Sequence, residues 1–226
     1  LRRQRQMCIR DRSGARPYFL FFGRLSKEKG ILTLVKAFLW ATGLANGSAD
    51  MRSSDQDVQV LPDAWDLHIV GDGPEREAIE QLIASAGPQA ESRIHLLGYK
   101  SGEDLQREVG NARFSVLSSE WRENMPYSGL ESLAAQTPII GASIGGIPEL
   151  VEEDKTGFTF ESGNITDVRD GLLKAAAVGQ SAYGVMQHQC AEYVAAHCRQ
   201  QAYAKQLERK YFGLTKLRSK NQGEER

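Results

Sequence analysis

Two carboxylates stand eight positions apart in the stretch ENMPYSGLE, from Glu123 to Glu131. In a continuous helix, residues at this spacing lie near the same face, about two turns apart. Pro126 and Gly129 argue against a continuous helix, because proline lacks a backbone donor and glycine is a poor helix former. We therefore predict that Glu123 lies in a loop and Glu131 in a helix that begins between them. The pair could be half of an active site, or Ser128 and Glu131 could form a capping box at the helix start.

A second set of charged side chains lies in GRLSKEKG, from Gly23 to Gly30. It places Arg24, Lys27 and Lys29 just ahead of a predicted helix, and its glycines allow the backbone to approach a ligand closely. Cations beside a helix N-terminus favour an anion such as a diphosphate. The spacing is not that of a P-loop, which needs GxxxxGK followed by Ser or Thr. A solvated turn ahead of a helix explains this stretch equally well by itself.

Short apolar runs alternate with amphipathic stretches along the chain. The runs predict strands at YFLFF (18–22), DLHIV (66–70), RIHLL (93–97), RFSVLS (113–118), TPIIGA (137–142) and TGFTF (156–160). The amphipathic stretches predict helices over residues 29–42, 74–86, 103–110, 128–135, 165–178, 182–196 and 200–216. Alternating strands and helices with nearly continuous apolar strands are typical of a parallel sheet covered on both faces. We predict an α/β fold: a doubly wound, Rossmann-like parallel sheet of about six strands with a helical C-terminal tail.

This fold gathers the strand-to-helix loops at one edge of the sheet, where ligands bind. The other loops are GDGP (71–74), Gly98-Tyr99-Lys100 and ASIGGIPELV (142–151). Each has an ordinary explanation, since Gly, Pro and Asp suit turns and helix starts. Tyr99 either flanks a bound base or covers the end of the sheet. Together the loops offer cations, paired carboxylates and glycines, and a nucleoside diphosphate joined to a polyhydroxylated group would use all three.

Composition narrows the class of protein. The 226 residues carry a formal net charge of −1, which favours neither nucleic acid nor an anionic membrane as partner. No apolar run approaches the ~20 residues of a membrane helix and no secretory signal is visible. We therefore expect a cytoplasmic protein whose Cys8, Cys190 and Cys198 are reduced. His188 and His197 lie near the later cysteines, but their spacing matches no zinc pattern, and we predict no metal site.

Five motifs then occur in a fixed order: GRLSKEKG, LHIVGDGPE, IHLLGY, the glutamate pair with ESLAAQTPII, and GGIPELV. In this order they resemble the C-terminal, donor-binding domain of GT-B glycosyltransferases, most closely the retaining family 4 (group 1) enzymes. The resemblance is close over residues 18–160 and looser in the helical tail. It implies one half of a GT-B fold. It also implies a hexosyltransferase-type enzyme that transfers a sugar, with retention, from a nucleoside-diphosphate sugar to a glycan or lipid-linked acceptor in polysaccharide biosynthesis.

The resemblance assigns roles to individual residues. Arg24 and Lys29 would neutralise the diphosphate in place of a metal ion, so that no cofactor is needed. Glu123 would contact and orient the donor sugar without acting as a nucleophile, and Glu131 would hold the ribose hydroxyls. Backbone N–H groups at the helix start would help hold the phosphates. The remaining donor-binding positions are Gly23, Gly98, Tyr99, Met125, Pro126, Tyr127, Ser128, Gly129 and Leu130.

The same resemblance sets the expected domain organisation. Residues 1–16, with six arginines and no apolar period, are interpreted as a disordered or artefactual arm. Residues 17–178 would form the nucleotide-sugar-binding domain, with a surface insertion at 43–65, and residues 179–226 would pack on it or on a missing N-terminal domain. Because such enzymes react between two domains, we expect the chain alone to bind donor weakly and turn it over poorly. The full-length enzyme would be cytoplasmic, with the inner face of the membrane as an alternative location.

Two other functions stay open. One is a non-catalytic nucleotide-binding module, either a degenerate fragment or half of a two-chain enzyme. The other is a nucleotide-sugar epimerase, which needs a histidine in the loops, whereas His68 and His95 fall within predicted strands and are expected in the core. Gln136 departs from the resemblance, because glycine is common there, and we expect it to perturb only the end of a helix.

Overall fold

A computed structural model of the chain describes residues 16–45 and 59–198. Its centre is a sheet of parallel strands in the order β3-β2-β1-β4-β5-β6. The strands are β1 (Tyr18–Phe22), β2 (Asp66–Val70), β3 (Ile94–Gly98), β4 (Phe114–Leu117), β5 (Ile139–Ala142) and β6 (Gly157–Phe160). All six predicted strands are confirmed, with small shifts at their ends. The sheet is the Rossmann-like, doubly wound architecture expected from the alternation of strands and helices.

Helices connect the strands. They are α1 (Ile31–Ala41), α2 (Arg76–Ala86), α3 (Pro88–Glu91), α4 (Gly102–Asn111), α5 (Tyr127–Ala134), α6 (Ile147–Leu150), α7 (Ile165–Ala176) and α8 (Gln180–His197). The short helix α3 was not predicted. The expected arm, most of the expected insertion and the expected helix at 200–216 lie outside the described residues. None of the helices seen in the described ranges has the length and apolarity that a bilayer-spanning segment requires.

Alternate residues of β1 show that both faces of the sheet are covered. Phe19 packs edge-on against Phe38 of α1, with ring centroids 6.5 Å apart. Tyr18 and Leu20 point the other way and cluster with Val109 of α4. On the first face α1 packs against α7. Helix α5 lies on the other face, where Gly129 packs against Leu117, and it also contacts α8. All five residues of β1 are buried, which explains why its sequence is a continuous apolar run.

The first helix begins later than predicted. Lys27–Lys29 form a 3-10 turn, and Gly30 follows in the left-handed region with φ 61°. A Cβ at Gly30 would overlap the carbonyl oxygen of Ser118, so only glycine fits between the loops that follow β1 and β4. Lys29 therefore lies in the 3-10 turn ahead of α1 and not within the helix.

The capping box expected at Ser128 and Glu131 is wrong. Helix α5 begins one residue earlier, at Tyr127, with Pro126 as its N-cap and no side-chain capping bond. Pro126 has an extended ψ of 119°, which brings the chain into the helix before Ser128 is reached. Ser128 thus lies inside the first turn, where its carbonyl oxygen accepts a hydrogen bond from the Ser132 hydroxyl at 2.7 Å. The S-x-x-E spacing is present, but the helix start is out of register with it.

The end of α5 is a Schellman turn with a residue that does not suit it. The Gln136 N–H donates to Leu133 O at 3.0 Å and the Thr137 N–H donates to Ser132 O at 2.9 Å. Gln136 occupies the left-handed position with φ 61°, where a Cβ is unfavourable. The expectation that Gln136 affects the helix end agrees with this conformation.

Gln136→Gly is expected to raise the free energy of unfolding by about 1 kcal/mol, because glycine has no Cβ to strain at this φ. Urea unfolding of the chain followed by circular dichroism measures the change. Gln136→Ala is the matched control: it shortens the side chain but keeps the strain, so it should not stabilise. Equal stability of the two variants would show that the left-handed strain is negligible here.

Candidate functional site

The order of the strands reverses between β1 and β4. From β1 the chain moves outward to β2 and β3, and from β4 it moves outward in the other direction to β5 and β6. In a doubly wound sheet, the loops that follow the two strands at such a reversal separate and leave a crevice at the carboxyl ends of the strands. Here those loops are residues 23–30 and 118–126, which carry the cations and the first glutamate singled out in the sequence.

Hydrogen bonds join the loop after β4 to the loop after β1 and to α1. The Ser118 hydroxyl donates to Lys29 O at 2.8 Å, and the Glu120 N–H donates to Glu28 O at 2.9 Å. The Thr33 hydroxyl of α1 donates to Glu120 Oε1 at 2.5 Å. These bonds, together with the close packing at Gly30, hold both sides of the crevice in a defined relative position.

A partly buried ion pair spans the crevice. Lys29 Nζ lies 2.7 Å from Glu123 Oε1, and the two side chains are 33% and 17% exposed. The Ser119 hydroxyl also donates to Glu123 Oε1. Glu123 is therefore not a solvated loop carboxylate. The two residues to which the resemblance assigns different parts of a donor, the diphosphate and the sugar, contact each other in this structure.

The loop after β5 supports Glu123 from the other side. The Gly146 N–H donates to Glu123 O at 2.6 Å. A Cβ at Gly146 would overlap the carbonyl oxygen of Asn124, and one at Gly145 would crowd the backbone of Glu123. These glycines let the loop after β5 pack against the backbone of Glu123 and Asn124, and this packing helps to fix the position of the Glu123 carboxylate.

The other glycines divide into two groups. Gly71 packs tightly on Gly23, and Gly129 packs on the side chain of Leu150, so these two are needed for contacts within the protein. Gly23 and Gly98 are different, because a Cβ at Gly23 would meet nothing nearer than 3.9 Å and one at Gly98 nothing within 4 Å. Of the glycines proposed to contact a ligand, Gly23 and Gly98 leave space for one.

The start of α5 faces the crevice with free backbone donors. The N–H groups of Gly129 and Leu130 both bond to Pro126 O, at 3.0 and 3.4 Å. Within residues 16–45 and 59–198, the N–H groups of Tyr127 and Ser128 have no acceptor, and no side chain caps the helix. An uncapped helix N-terminus carries partial positive charge and binds anions, phosphates in particular. It lies one residue beyond the loop that holds Glu123.

Five of the remaining predicted residues are exposed, whereas Pro126 is buried. Arg24 and Glu131 are exposed, and neither side chain forms a hydrogen bond or an ion pair with another described residue. Tyr99, Met125 and Tyr127 are also exposed, despite their large apolar side chains. Exposed aromatic residues at the edge of a crevice are suited to contact with a base or a sugar ring.

Two site residues were missed in the sequence. Ser119 holds Glu123, and no pattern in the sequence marks it. Trp121 is 69% exposed in the same loop, and the signal for it was present. A tryptophan between polar residues in a loop after a buried strand is unusual, because it leaves a large apolar side chain in water.

The two strand histidines are not core residues, which corrects the expectation. His68 and His95 do lie within β2 and β3, but both are partly exposed, because β3 is the edge strand and α4 covers its face incompletely. Neither lies in a loop of the crevice. Among the described His, Cys, Asp and Glu side chains, those close enough to share a metal ion do not include Glu123 or Glu131.

Sequence comparison matches the chain to one protein family. The Glycosyl transferases group 1 family model matches residues 3–194. Alpha-D-kanosaminyltransferase from Streptomyces kanamyceticus is 26% identical over 174 residues, which are 75% of this chain and 40% of that protein. N-acetyl-alpha-D-glucosaminyl L-malate synthase from Bacillus anthracis is 33% identical over 108 residues, 48% of this chain and 27% of that protein. The chain spans less than half the length of these curated relatives.

Solved structures share the fold. HepE from Anabaena, solved in complex with UDP, superposes with a TM-score of 0.68 at 18% identity, covering 93% of this chain and 51% of HepE. The C-terminal domain of LpcC, a glycosyl transferase group 1 family protein from Francisella tularensis, superposes with a TM-score of 0.65 at 17% identity. The match covers 82% of this chain and 88% of that domain. The architecture described above is thus that of one half of a GT-B fold.

Proposed function

Because the chain belongs to the glycosyl transferases group 1 family, we propose that it is the donor-binding half of a retaining glycosyltransferase. The donor would be a nucleoside-diphosphate sugar, and the acceptor a glycan or a lipid-linked glycan. The observation that carries this proposal is the ion pair of Lys29 and Glu123 beside the uncapped start of α5, at the point where the strand order reverses. One side of this crevice is suited to phosphate and the other to hydroxyl groups.

The diphosphate would lie between Lys29, Arg24 and the free N–H groups of Tyr127 and Ser128. Lysine and arginine provide charge-assisted hydrogen bonds, and the helix start adds partial positive charge. These groups would stabilise the negative charge that develops on the departing diphosphate. A single well-placed donor in such a site is worth about 3 kcal/mol of barrier. We propose that the cations take the place of a metal ion in this step.

The nucleoside and the sugar would occupy the two ends of the crevice. Glu131, exposed on α5, would accept hydrogen bonds from the ribose hydroxyls. The base would lie near Gly98 and Tyr99, where the backbone leaves open space. Glu123 would accept hydrogen bonds from the donor sugar. Its carboxylate is held in place by Lys29 and Ser119, so it can orient a sugar without moving.

The ion pair also bears on how retention is achieved. Retaining glycosidases use a free carboxylate as a nucleophile, with a second carboxyl group close by. Glu123 is paired with a lysine and bonded to a serine, which stabilises its charge and lowers its nucleophilicity. We therefore propose a same-face substitution. The bond from the anomeric carbon to the phosphate oxygen breaks, the bond to the acceptor oxygen forms on the same face, and the acceptor proton passes to the departing phosphate.

The cellular location of the enzyme and its binding partners are further parts of this proposal. We propose a cytoplasmic enzyme that meets its acceptor through an acceptor-binding domain. The solved complex of HepE with UDP supports a nucleoside diphosphate as the common part of the donor.

Thermal-shift measurements with UDP-sugars and GDP-sugars test the proposed donor site. At saturating concentration the cognate donor is expected to raise the Tm of the chain by about 3–8 °C. Glu131→Ala should reduce this shift, because the ribose hydroxyls lose their acceptor. Glu91→Ala, which removes an exposed glutamate from α3, is the matched control and should leave the shift unchanged. No shift with any nucleotide sugar, or an undiminished shift in Glu131→Ala, would contradict the proposal.

A further inference from the structure

Three metal-ligating side chains meet on the face of β2 and β3 that α4 covers, toward the amino ends of these strands. Asp66 and His68 are two residues apart on β2, so both point to the face covered by α4. His95 is paired directly with His68 across the parallel β2–β3 ladder and points to the same face. One ligand atom from each residue lies within 4.8 Å of those of the other two.

Asp66 is the buried member of this cluster. The residue is 6% exposed, and its Oδ1 accepts no hydrogen bond from the described part of the chain. Arg16 Nη2 lies 3.0 Å from Oδ1, which gives an ion pair without hydrogen-bond geometry, and His95 Nε2 lies 3.7 Å from Oδ2. A buried carboxylate oxygen that accepts no hydrogen bond is unfavourable, even with an ion-pair partner nearby. It is stabilised when a cation binds it directly.

His68 is arranged as metal-bound histidines are. Its Nδ1 lies 3.3 Å from Glu108 Oε2, and Lys100 Nζ fixes the other oxygen of that carboxylate at 2.5 Å. The ring stacks on Tyr18, with centroids 3.8 Å apart. A carboxylate on one ring nitrogen orients the imidazole and makes its other nitrogen a better metal ligand. With Nδ1 facing Glu108, Nε2 is the nitrogen that remains for a metal.

We propose that Asp66, His68 and His95 form a binding site for a divalent transition-metal ion of the zinc type. Two imidazole nitrogens and one carboxylate oxygen are a ligand set that zinc and its neighbours accept, with water in the remaining positions. Metal–nitrogen bonds of roughly 2.0–2.1 Å require ligand atoms about 3.3 Å apart, so the cluster must contract on binding. His95 is on the edge strand with its side chain 35% exposed, and it can rotate inward.

The proposed ion would act on the fold and not on sugar transfer. It would connect edge strand β3 to β2 through side chains, in addition to the hydrogen bonds of the ladder. The exposed Arg16 would move away from Asp66, because the ion replaces its charge. The crevice lies beyond the carboxyl ends of β1 and β4, whereas Asp66 begins β2. The site is thus separate from the proposed donor site, and its test does not depend on that proposal.

Titration of the metal-free chain with Zn²⁺ alone, by isothermal calorimetry, tests the site. We expect one ion per chain at this site, with a Kd weakened roughly tenfold or more in His95→Gln and in Asp66→Asn. His188→Gln is the matched control, because it removes an exposed histidine of α8 that lies outside the cluster and pairs with Glu192. Its Kd should not change. Co²⁺ absorption should show d–d bands without a thiolate charge-transfer band, which excludes the cysteines as ligands.

A second measurement needs no variant and so does not depend on how the variants fold. In imidazole-selective NMR spectra of the unmodified chain, Co²⁺ should shift or broaden the signals of His68 and His95 before those of His188 and His197. The proposal fails if Zn²⁺ does not bind, if His95→Gln binds it as tightly as the unmodified chain, or if Co²⁺ first affects the histidines of α8.

Discussion

Lys29→Met is expected to weaken the binding of UDP or GDP to the chain by roughly 10- to 100-fold, the loss that follows from removing one charge-assisted hydrogen bond. Lys29 is held at the crevice from both sides, since its carbonyl accepts from Ser118 and its ammonium pairs with Glu123 at 2.7 Å. A diphosphate that binds there meets a cation already in position. Isothermal calorimetry with each nucleotide measures the change.

Two variants separate this effect from a general loss of charge. Lys27→Met removes an exposed lysine from the same 3-10 turn and should change the Kd by no more than about twofold. Glu123→Gln removes the carboxylate that competes with phosphate for Lys29, so UDP or GDP should bind as tightly as before or more tightly. If Lys27→Met weakens binding as much as Lys29→Met does, the specific role of Lys29 is wrong.

Gly30→Ala is expected to lower the free energy of unfolding by about 2–5 kcal/mol. About 1–2 kcal/mol comes from placing a Cβ in the left-handed region, and about 1–3 kcal/mol from its overlap with the backbone of Ser118. Because the overlap lies between the two loops of the crevice, relaxation should also separate Lys29 from Glu123. Urea unfolding measures the stability, and nucleotide binding by the folded variant measures the effect on the site.

Gly98→Ala provides a matched comparison. Gly98 has nearly the same conformation, with φ 67° against 61° for Gly30, but a Cβ there meets nothing within 4 Å. Gly98→Ala should therefore lower the free energy of unfolding by only about 1–2 kcal/mol, the cost of a Cβ in the left-handed region. Equal losses in the two variants would mean that the contact between the loops at Gly30 adds nothing to stability.

The elements of the fold were predictable because their signals are local. β1 reads as an uninterrupted apolar run, since both of its faces are buried. The apolar face of α1 recurs with the helical period, since only one side of that helix packs on the sheet. Strands that alternate with helices permit a parallel sheet and few other arrangements. The position of the ligand edge follows from that topology alone.

Other features depended on backbone register, which local patterns do not specify. The S-x-x-E pattern at Ser128 predicted a capping box, but the N-cap is Pro126, two residues too early for it. Gly145 and Gly146 looked suited to a ligand and in fact pack against the loop of Glu123. The metal cluster was not visible either, because His68 and His95 are 27 positions apart and become neighbours only through the pairing of β2 with β3.

The sequence by itself therefore determined the architecture, the edge at which we propose that a ligand binds and the residue types gathered there. These depend on hydrophobic period and on the order of motifs, which are properties of a linear chain. Only the tertiary structure decided which of those residues touch. Lys29 and Glu123 are 94 positions apart and form an ion pair because the strand order reverses between β1 and β4 and a glycine lets their loops meet. Such contacts arise from packing between distant segments, where a displacement of one residue exchanges one partner for another.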